Sequence, residues 1–355
     1  MDKPRIIEHI NKPLNWTVND CKWIPSSARF IAAGGVPRGT GCIQVYTLTE
    51  DGKDVNKLYD IDHKHPFKCC TFEATGLEER HLACGDFDGN ILVYDLNKPK
   101  NNQPLFTIEK AHSQIINCVD GCGLSYGPPE IATGSRDGCV KIWDLRLKHK
   151  PIVSLEPQES VKVDCWAVCL GNSFNANERV CASGYENGDL KIFDLRTNSV
   201  LWETNLKNGI CSLQFDRRDI EMNKLLATTL EGRFNVLDMR TRHPEKGYAC
   251  LSEKIQDSNT STVWLGRHLP QNRDVFLVAS GSGLLSLYKY NYPSERRIGN
   301  PPEGVVGNTI LVQKSTVSTQ PICCFDWNRD KEGLAVAGAL DQALRIIVCT
   351  KLNFL

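Results

Sequence analysis

One unit of strand, tight turn and strand recurs seven times along the chain, and that periodicity restricts the fold to small sheets repeated in series. The clearest copy runs from Glu130 to Arg146. Within it Asp137-Gly138 marks a hairpin, because glycine takes the positive φ that such turns require. Val140 and Ile142 alternate with Lys141 and Trp143, the period of a strand. Aligned on the turn residue, every copy carries a large apolar or aromatic residue five positions on. Gly41 leads to Tyr46, Gly89 to Tyr94, Gly138 to Trp143, Gly188 to Phe193, Gly232 to Leu237, Gly283 to Tyr288 and Gln342 to Ile347. Successive turns lie 48, 49, 50, 44, 51 and 59 residues apart.

A second apolar strand ending in small residues precedes each turn, as in Leu82-Ala83-Cys84-Gly85 and Leu334-Ala335-Val336-Ala337-Gly338. A first strand lies about twenty residues upstream of the turn, and a weaker fourth follows the aromatic position, as in Val200-Leu201-Trp202-Glu203. Four strands in seven units predict an all-β, seven-bladed β-propeller forming one domain over 1–355. The blades fall near 15–60, 65–108, 112–155, 161–203, 208–251, 260–313 and 320–350. Only three strands are evident in the last unit. The apolar segment Ile6 to Ile10 is unassigned, and residues 5–10 are expected to supply the missing strand and close the ring, removing open sheet edges.

Unit three resembles the WD40 family most closely. The resemblance implies that His112, Thr133, Asp137 and Trp143 form a hydrogen-bonded set bracing the blade, so His112 with Asp137 reads as a strut and not a catalytic pair. Units one, six and seven lack a Trp-Asp pair and leave their bracing open.

Composition narrows function by exclusion. Lys+Arg and Asp+Glu both number 42, so the chain lacks the positive field of a typical nucleic-acid binder, and no nucleic acid is expected as a partner. No apolar run of about 18 residues spans a membrane. Met1 to Arg5 is not followed by a signal-peptide core, which makes a cytoplasmic protein the expectation. In that compartment the sixteen cysteines do not suggest a disulfide framework, and no Cys-x-x-Cys occurs. Cys21, Cys69, Cys118, Cys165, Cys211 and Cys323 lie 19 to 23 residues before their turns. They are expected to form a ring of small core residues, one per blade, spread around the axis rather than clustered.

Catalytic residues, cofactors and metal ligands are expected to be absent. There is no phosphate-binding Gly-x-x-x-x-Gly-Lys-Ser/Thr loop and no His-Glu-x-x-His. His63-Lys64-His65 reads as a solvated loop. A propeller enzyme would need ionisable groups clustered in the channel. What remains is a rigid, monomeric disc with loops on two faces. On the face carrying the second-to-third-strand turns, Phe87, Arg136, Tyr185 and Glu186 are the candidate partner contacts, aromatic and arginine side chains being common anchors. The connection from Asn291 to Gln320, rich in Pro and Gly, is expected to be a partly mobile loop enclosing a strand near Thr309 to Val312.

Longer stretches resemble a narrower group. Lys207 to Leu213, Phe215 to Leu225, Asp238 to Thr241, His268 to Arg273 and Ser318 to Ile322 are similar to the Monad family of small WD-repeat proteins, and the likeness runs along nearly the whole chain. That resemblance implies a cytoplasmic adaptor of a co-chaperone complex built on RuvB-like AAA+ ATPases, a TPR-containing RNA-polymerase-II-associated subunit and prefoldin-like subunits. It also implies a part in preassembly of axonemal dynein arms, hence in the motile cilium, and an apoptosis role. Whether axonemal dynein heavy chains are touched directly stays open. A rival reading is a substrate receptor of a cullin-type ubiquitin ligase, because Trp143-Asp144-Leu145-Arg146, Phe193-Asp194-Leu195-Arg196 and Leu237-Asp238-Met239-Arg240 resemble its Trp-Asp-x-Arg boxes.

Overall fold

The computed structural model describes all residues except 1–2, 98–102, 125–126, 148–149, 158–161, 176, 218 and 258–260. Seven four-stranded antiparallel sheets follow one another along the chain. Their first strands are Thr17–Trp23, Phe67–Thr71, Ile116–Gly121, Cys165–Gly171, Ile210–Phe215, Val263–His268 and Ile322–Trp327. Each of these packs against the first strand of the next sheet, and the seventh packs against the first, so the sheets are blades around a central channel. The described residues contain no α-helix. The core lies between blades in a series of apolar clusters, because each sheet buries both faces against its neighbours.

Blade 7 is completed from the other end of the chain. Arg5–Pro13 pairs antiparallel with Ala343–Thr350, from Arg5↔Thr350 to Pro13↔Ala343. A bulge between Glu8 and Ile10 shifts the register by one residue. Such a shift turns a strand's side chains over. Ile6 therefore joins the core shared with blade 6, and Ile10 the core shared with blade 1.

Positive φ confirms the tight turn at Gly89, Gly138, Gly188, Gly232 and Gly283, and Gln342 holds the same conformation at φ 61° without being glycine. Blade 1 departs from the expectation. Gly41 already lies in the third strand, paired with Gly35, and the chain reverses at Gly39 (φ 80°) inside a longer hairpin. The offset from Gly41 to Tyr46 holds, but the turn has moved two residues upstream.

The long connection after blade 6's third strand is ordered. Its fourth strand is Asn308–Thr316, longer than expected. Between them Arg297–Ile298 pairs with Glu303–Gly304 as a small hairpin lying on blade 5. Arg296 fixes it there by donating to both carboxylate oxygens of Asp238 and to Asn223 Oδ1. The expected mobile loop is thus a strap across two blades. Its charged anchor sits on Asp238, a residue 1% exposed.

Candidate functional site

Every first strand carries a bulge near its start, in the same place in all seven blades. The residues left unpaired are Asn19, Lys68, Asn117, Trp166, Cys211, Trp264 and Cys323, and all seven line the channel. Several reach across to the next blade. Asn19 Nδ2 donates to the Phe67 carbonyl at 2.7 Å, Asn117 Nδ2 to that of Cys165 at 3.0 Å and the Cys323 thiol to that of Val18 at 3.1 Å. Deeper in, side-chain acceptors take backbone N–H groups of the following blade. Asp20 accepts from Cys70 (2.8 Å), Asp120 from Leu170 (2.8 Å), Gln214 from His268 (2.7 Å) and Asp326 from Trp23 (2.8 Å). A closed ring needs such clasps where first strands converge at an angle that backbone ladders cannot bridge.

The channel therefore does hold clustered ionisable groups, the feature a propeller enzyme would need. Lys22 Nζ lies 2.7 Å from Asp20, and Arg267 lines the same cavity of about 430 Å³. Burial pushes the Asp120 carboxyl up to about 7 and that of Asp326 up to about 6, despite their backbone donors. The three aspartates each accept a backbone N–H of the neighbouring blade and so join blades.

The cysteines do not share one register. Cys165 pairs just before its bulge, Cys211 and Cys323 occupy the bulge, Cys69 and Cys118 follow it, and Cys21 lies one further on. Nor are the thiols evenly spread. Cys70 and Cys84 face each other across one sheet with sulfurs 3.2 Å apart. A Cβ on Gly134 would meet the Cys165 and Cys118 sulfurs at 2.7 and 2.8 Å, so these two thiols fill the space glycine leaves. The expected cysteine does stand in the first strand of each of six blades; what differs is its position within the strand. Burial pushes Cys69, Cys70 and Cys118 well above the usual thiol range. Among the described residues no group of three or more His, Cys, Asp or Glu could hold a metal ion.

In blade 3, His112, Thr133, Asp137 and Trp143 come together. His112 Nδ1 lies 3.2 Å from both Asp137 oxygens, His112 Nε2 is 2.8 Å from Thr133 Oγ1, and Trp143 Nε1 donates to the same hydroxyl at 2.9 Å. Burial raises the Asp137 carboxyl, but the hydrogen bond and charge of His112 outweigh it and hold the group well below the usual range. Other blades build their own versions. His63 is no solvated loop residue. It ends the outer strand Val55–His63, stacks on Phe67 and bonds Asp86 at 3.2 Å, four residues before its first strand just as His112 is. Ser318 bonds Asp341 at 2.8 Å in blade 7. In blade 6, Asp257 takes the hydroxyls of Ser261, Ser280 and Ser282. That repeated spacing from the first strand was a signal available for His63.

The face bearing the second-to-third-strand turns, here the top, presents a pinned residue on the turns of blades 2 to 5 and 7. The backbone N–H groups of Phe87, Arg136 and Glu186 donate to the carbonyls of Pro66, Ile115 and Asp164, each at 3.0 Å, and those of Leu230 and Leu340 do the same in blades 5 and 7. Phe87 is 38% exposed, and Arg136 and Glu186 are exposed as well. Tyr185 is not. It closes the strand Val180–Tyr185, is 8% exposed and packs in the core between blades 3 and 4, its ring 5.8 Å from Lys191 Nζ. As a strand-end residue it points between blades, which removes it from the docking surface. Sequence reasoning missed Leu230, Trp264 and Leu340, all exposed on the top. The Trp-Asp-x-Arg boxes lie on the other face, where Arg146 folds back on Asp144 at 2.6 Å.

Seven such blades, with the clasped channel and braced turns, define a WD40 β-propeller. The WD domain, G-beta repeat family matches residues 102–144, the best-braced blade. The chain is 51% identical over 359 residues to human Dynein axonemal assembly factor 10, covering 99% of this chain and 98% of the relative. It is 49% identical to the proteins of that name from Xenopus tropicalis and Chlamydomonas reinhardtii, with the same coverage. The chain belongs to the dynein axonemal assembly factor 10 family.

Proposed function

We propose that this chain is a non-catalytic scaffold acting in the cytoplasm during preassembly of axonemal dynein arms. It holds client and chaperone proteins on its top face through Phe87, Arg136 and Glu186, with the neighbouring Leu230, Trp264 and Leu340. The observation that carries the reading is the near-complete, roughly half-identical match to assembly factors from a vertebrate and from an alga. The structure supports it physically. The channel's Asp20, Asp120 and Asp326 carboxylates accept from neighbouring blades, while apolar side chains stand exposed on turns clamped by backbone hydrogen bonds. Rigid exposed aromatics and aliphatics bind at small entropic cost. The partners are RuvB-like AAA+ ATPases, a TPR-containing RNA-polymerase-II-associated subunit and prefoldin-like subunits, with axonemal dynein heavy chains as clients.

Affinity purification of the tagged full chain from ciliated cells tests this directly. Recovery of RuvB-like ATPases with dynein heavy chains, lost on changing Phe87 and Leu230 to Ser, supports the scaffold. Recovery of a cullin adaptor alone, sensitive to Arg146→Ala and Arg196→Ala, would replace it with the ligase-receptor reading.

A further inference from the structure

Blades 3, 4 and 5 carry an Asp-x-Arg segment at the same place in the third strand. Asp144, Asp194 and Asp238 pair with the first residue of the second strand, Glu130, Val180 and Lys224. Each aspartate accepts the backbone N–H of its own arginine, Arg146 at 2.9 Å, Arg196 at 2.8 Å and Arg240 at 2.9 Å. In blade 3 the side chain closes on the same carboxylate, with Arg146 Nε and Nη2 2.9 and 2.6 Å from Asp144, and in blade 4 Arg196 lies 3.7 Å from Asp194. Blade 5 breaks the pattern. Arg240 turns to Glu221 instead, and Asp238 is held by Arg296 of the strap from blade 6. Arg296 is well seated there. Its Nε lies 2.8 Å from Asp238 Oδ2, its Nη2 2.7 Å from Asn223 Oδ1, and its guanidinium stands 4.8 Å from the centre of the Tyr292 ring. Both ends of the strap are pinned, Tyr292 by Lys224 and Asn223, and Gly307 by Tyr290. Between them the ties to blade 5 run through Arg296, through Arg297 on the Arg240 carbonyl and through Glu303 on Lys246. Gly304 sits against Thr241 and Ala249, which a Cβ would meet at 2.7 and 2.9 Å.

We propose that the strap is a latch with two settings, worked by an exchange of arginines on Asp238. In the closed setting Arg296 holds Asp238 and Arg240 holds Glu221. In the open setting Arg240 swings onto Asp238 as Arg146 does onto Asp144, and residues 293–306 lift between their pinned ends, uncovering Thr241 and Ala249 on the bottom of blade 5. Opening alone would strand a buried carboxylate, the most unfavourable way to break an ion pair. Arg240 removes that penalty. Its backbone already bonds Asp238, and the pair it gives up with Glu221 has side chains 40% and 53% exposed, a kind that contributes little. Two discrete arrangements of the same charges make a bistable element. The latch works on the face away from the top, so it does not depend on which partner the top face holds.

Native-state cleavage of the full chain by thermolysin, with cut sites mapped by mass spectrometry, reads the open setting, because the protease takes the strap once it has lifted. Cuts before Ile298, Val305 and Val306 should run about tenfold faster or more in Arg296→Gln, which loosens the closed setting. They should run about tenfold slower or more than wild type in Arg240→Gln, which removes the arginine that makes opening easy, while cuts elsewhere keep their wild-type rates. An arginine that merely paired with Glu221 on the surface would leave strap cleavage unchanged. An unchanged or faster rate in Arg240→Gln therefore overturns the exchange, and an unchanged rate in Arg296→Gln overturns the latch itself. Glu221→Gln frees Arg240, leaves the strap's own contacts in place and should speed the same cuts; a rate at or below wild type there overturns the exchange as well.

Discussion

Ring closure through the N-terminal strand makes a sharp, quantitative demand. Ile6 and Ile10 are 7% and 6% exposed and lie in different cores, one toward blade 6 and one toward blade 1, because the bulge after Glu8 turns the strand over between them. Truncating a buried isoleucine to alanine costs about 2–5 kcal/mol, transfer and cavity combined. The two sites share few neighbours, so their costs should add, giving about 6 kcal/mol for Ile6→Ala with Ile10→Ala. Domains of ordinary stability hold about 5–15 kcal/mol in total. The double variant should therefore populate an opened ring under mild conditions. Ile7, 41% exposed on the same strand, is the control, and Ile7→Ala should stay within about 0.5 kcal/mol. Urea unfolding followed by circular dichroism gives the costs. Hydrogen exchange should show the amides of Ala343–Thr350 losing protection first, since the N-terminal strand covers them. Ile6→Ala and Ile10→Ala variants each no more destabilised than Ile7→Ala would refute closure through these two cores.

Other outcomes follow from the same packing. Thr133→Val strips the hydroxyl that bonds both His112 and Trp143 and should cost about 2–4 kcal/mol by thermal or urea unfolding, localised to blade 3. Arg296→Met leaves the buried Asp238 carboxylate short of its cation; a partly exposed partner limits the cost to about 1–3 kcal/mol, and residues 292–307 should gain fast hydrogen exchange. Asp120→Asn keeps the acceptor for Leu170 and removes a charge the fold tolerates poorly. Because the folded carboxyl titrates near 7 against an unfolded value near 4, the folded state binds the extra proton across that window. The native chain thus loses stability as pH rises through it. The variant should be more stable at pH 8, by at most about 4 kcal/mol, and the gain should vanish near pH 4. Asp137 titrates the other way. Its stabilisation is present above pH 4 and lost as acid protonates it, so Asp137→Asn should narrow the gap to wild type at low pH.

Much of the architecture was legible because the features that fix it are local. A turn residue at positive φ, small residues before it and a large one five positions later write the blade into the sequence. Three strands in the last unit point to the N-terminus for the fourth. What escaped reading depends on contacts between blades. The bulge in each first strand leaves no composition signature, since Asn19, Lys68, Trp166 and Cys211 share nothing but position. The same bulge breaks the register on which an even ring of cysteines would have rested. Gly39 and Gly41 are both glycine, and only the pairing with Gly35 decides which one turns. Tyr185 sits next to exposed Glu186 but ends a strand, and one residue along a strand exchanges core for solvent. Of the docking candidates, Phe87, Arg136 and Glu186 stand on the top face, while the apolar arc of Leu230, Trp264 and Leu340 was hidden because each is an ordinary strand or turn residue until the ring gathers them.

Counting dynein arms on axonemes tests the central claim most directly. In a ciliated organism carrying this chain, its removal should leave axonemes of normal microtubule architecture lacking dynein arms by electron tomography. Re-expression of the wild-type chain should restore them, and re-expression of a folded chain with Phe87→Ser and Leu230→Ser should not. Arms present at full occupancy without the chain would contradict a role in their assembly.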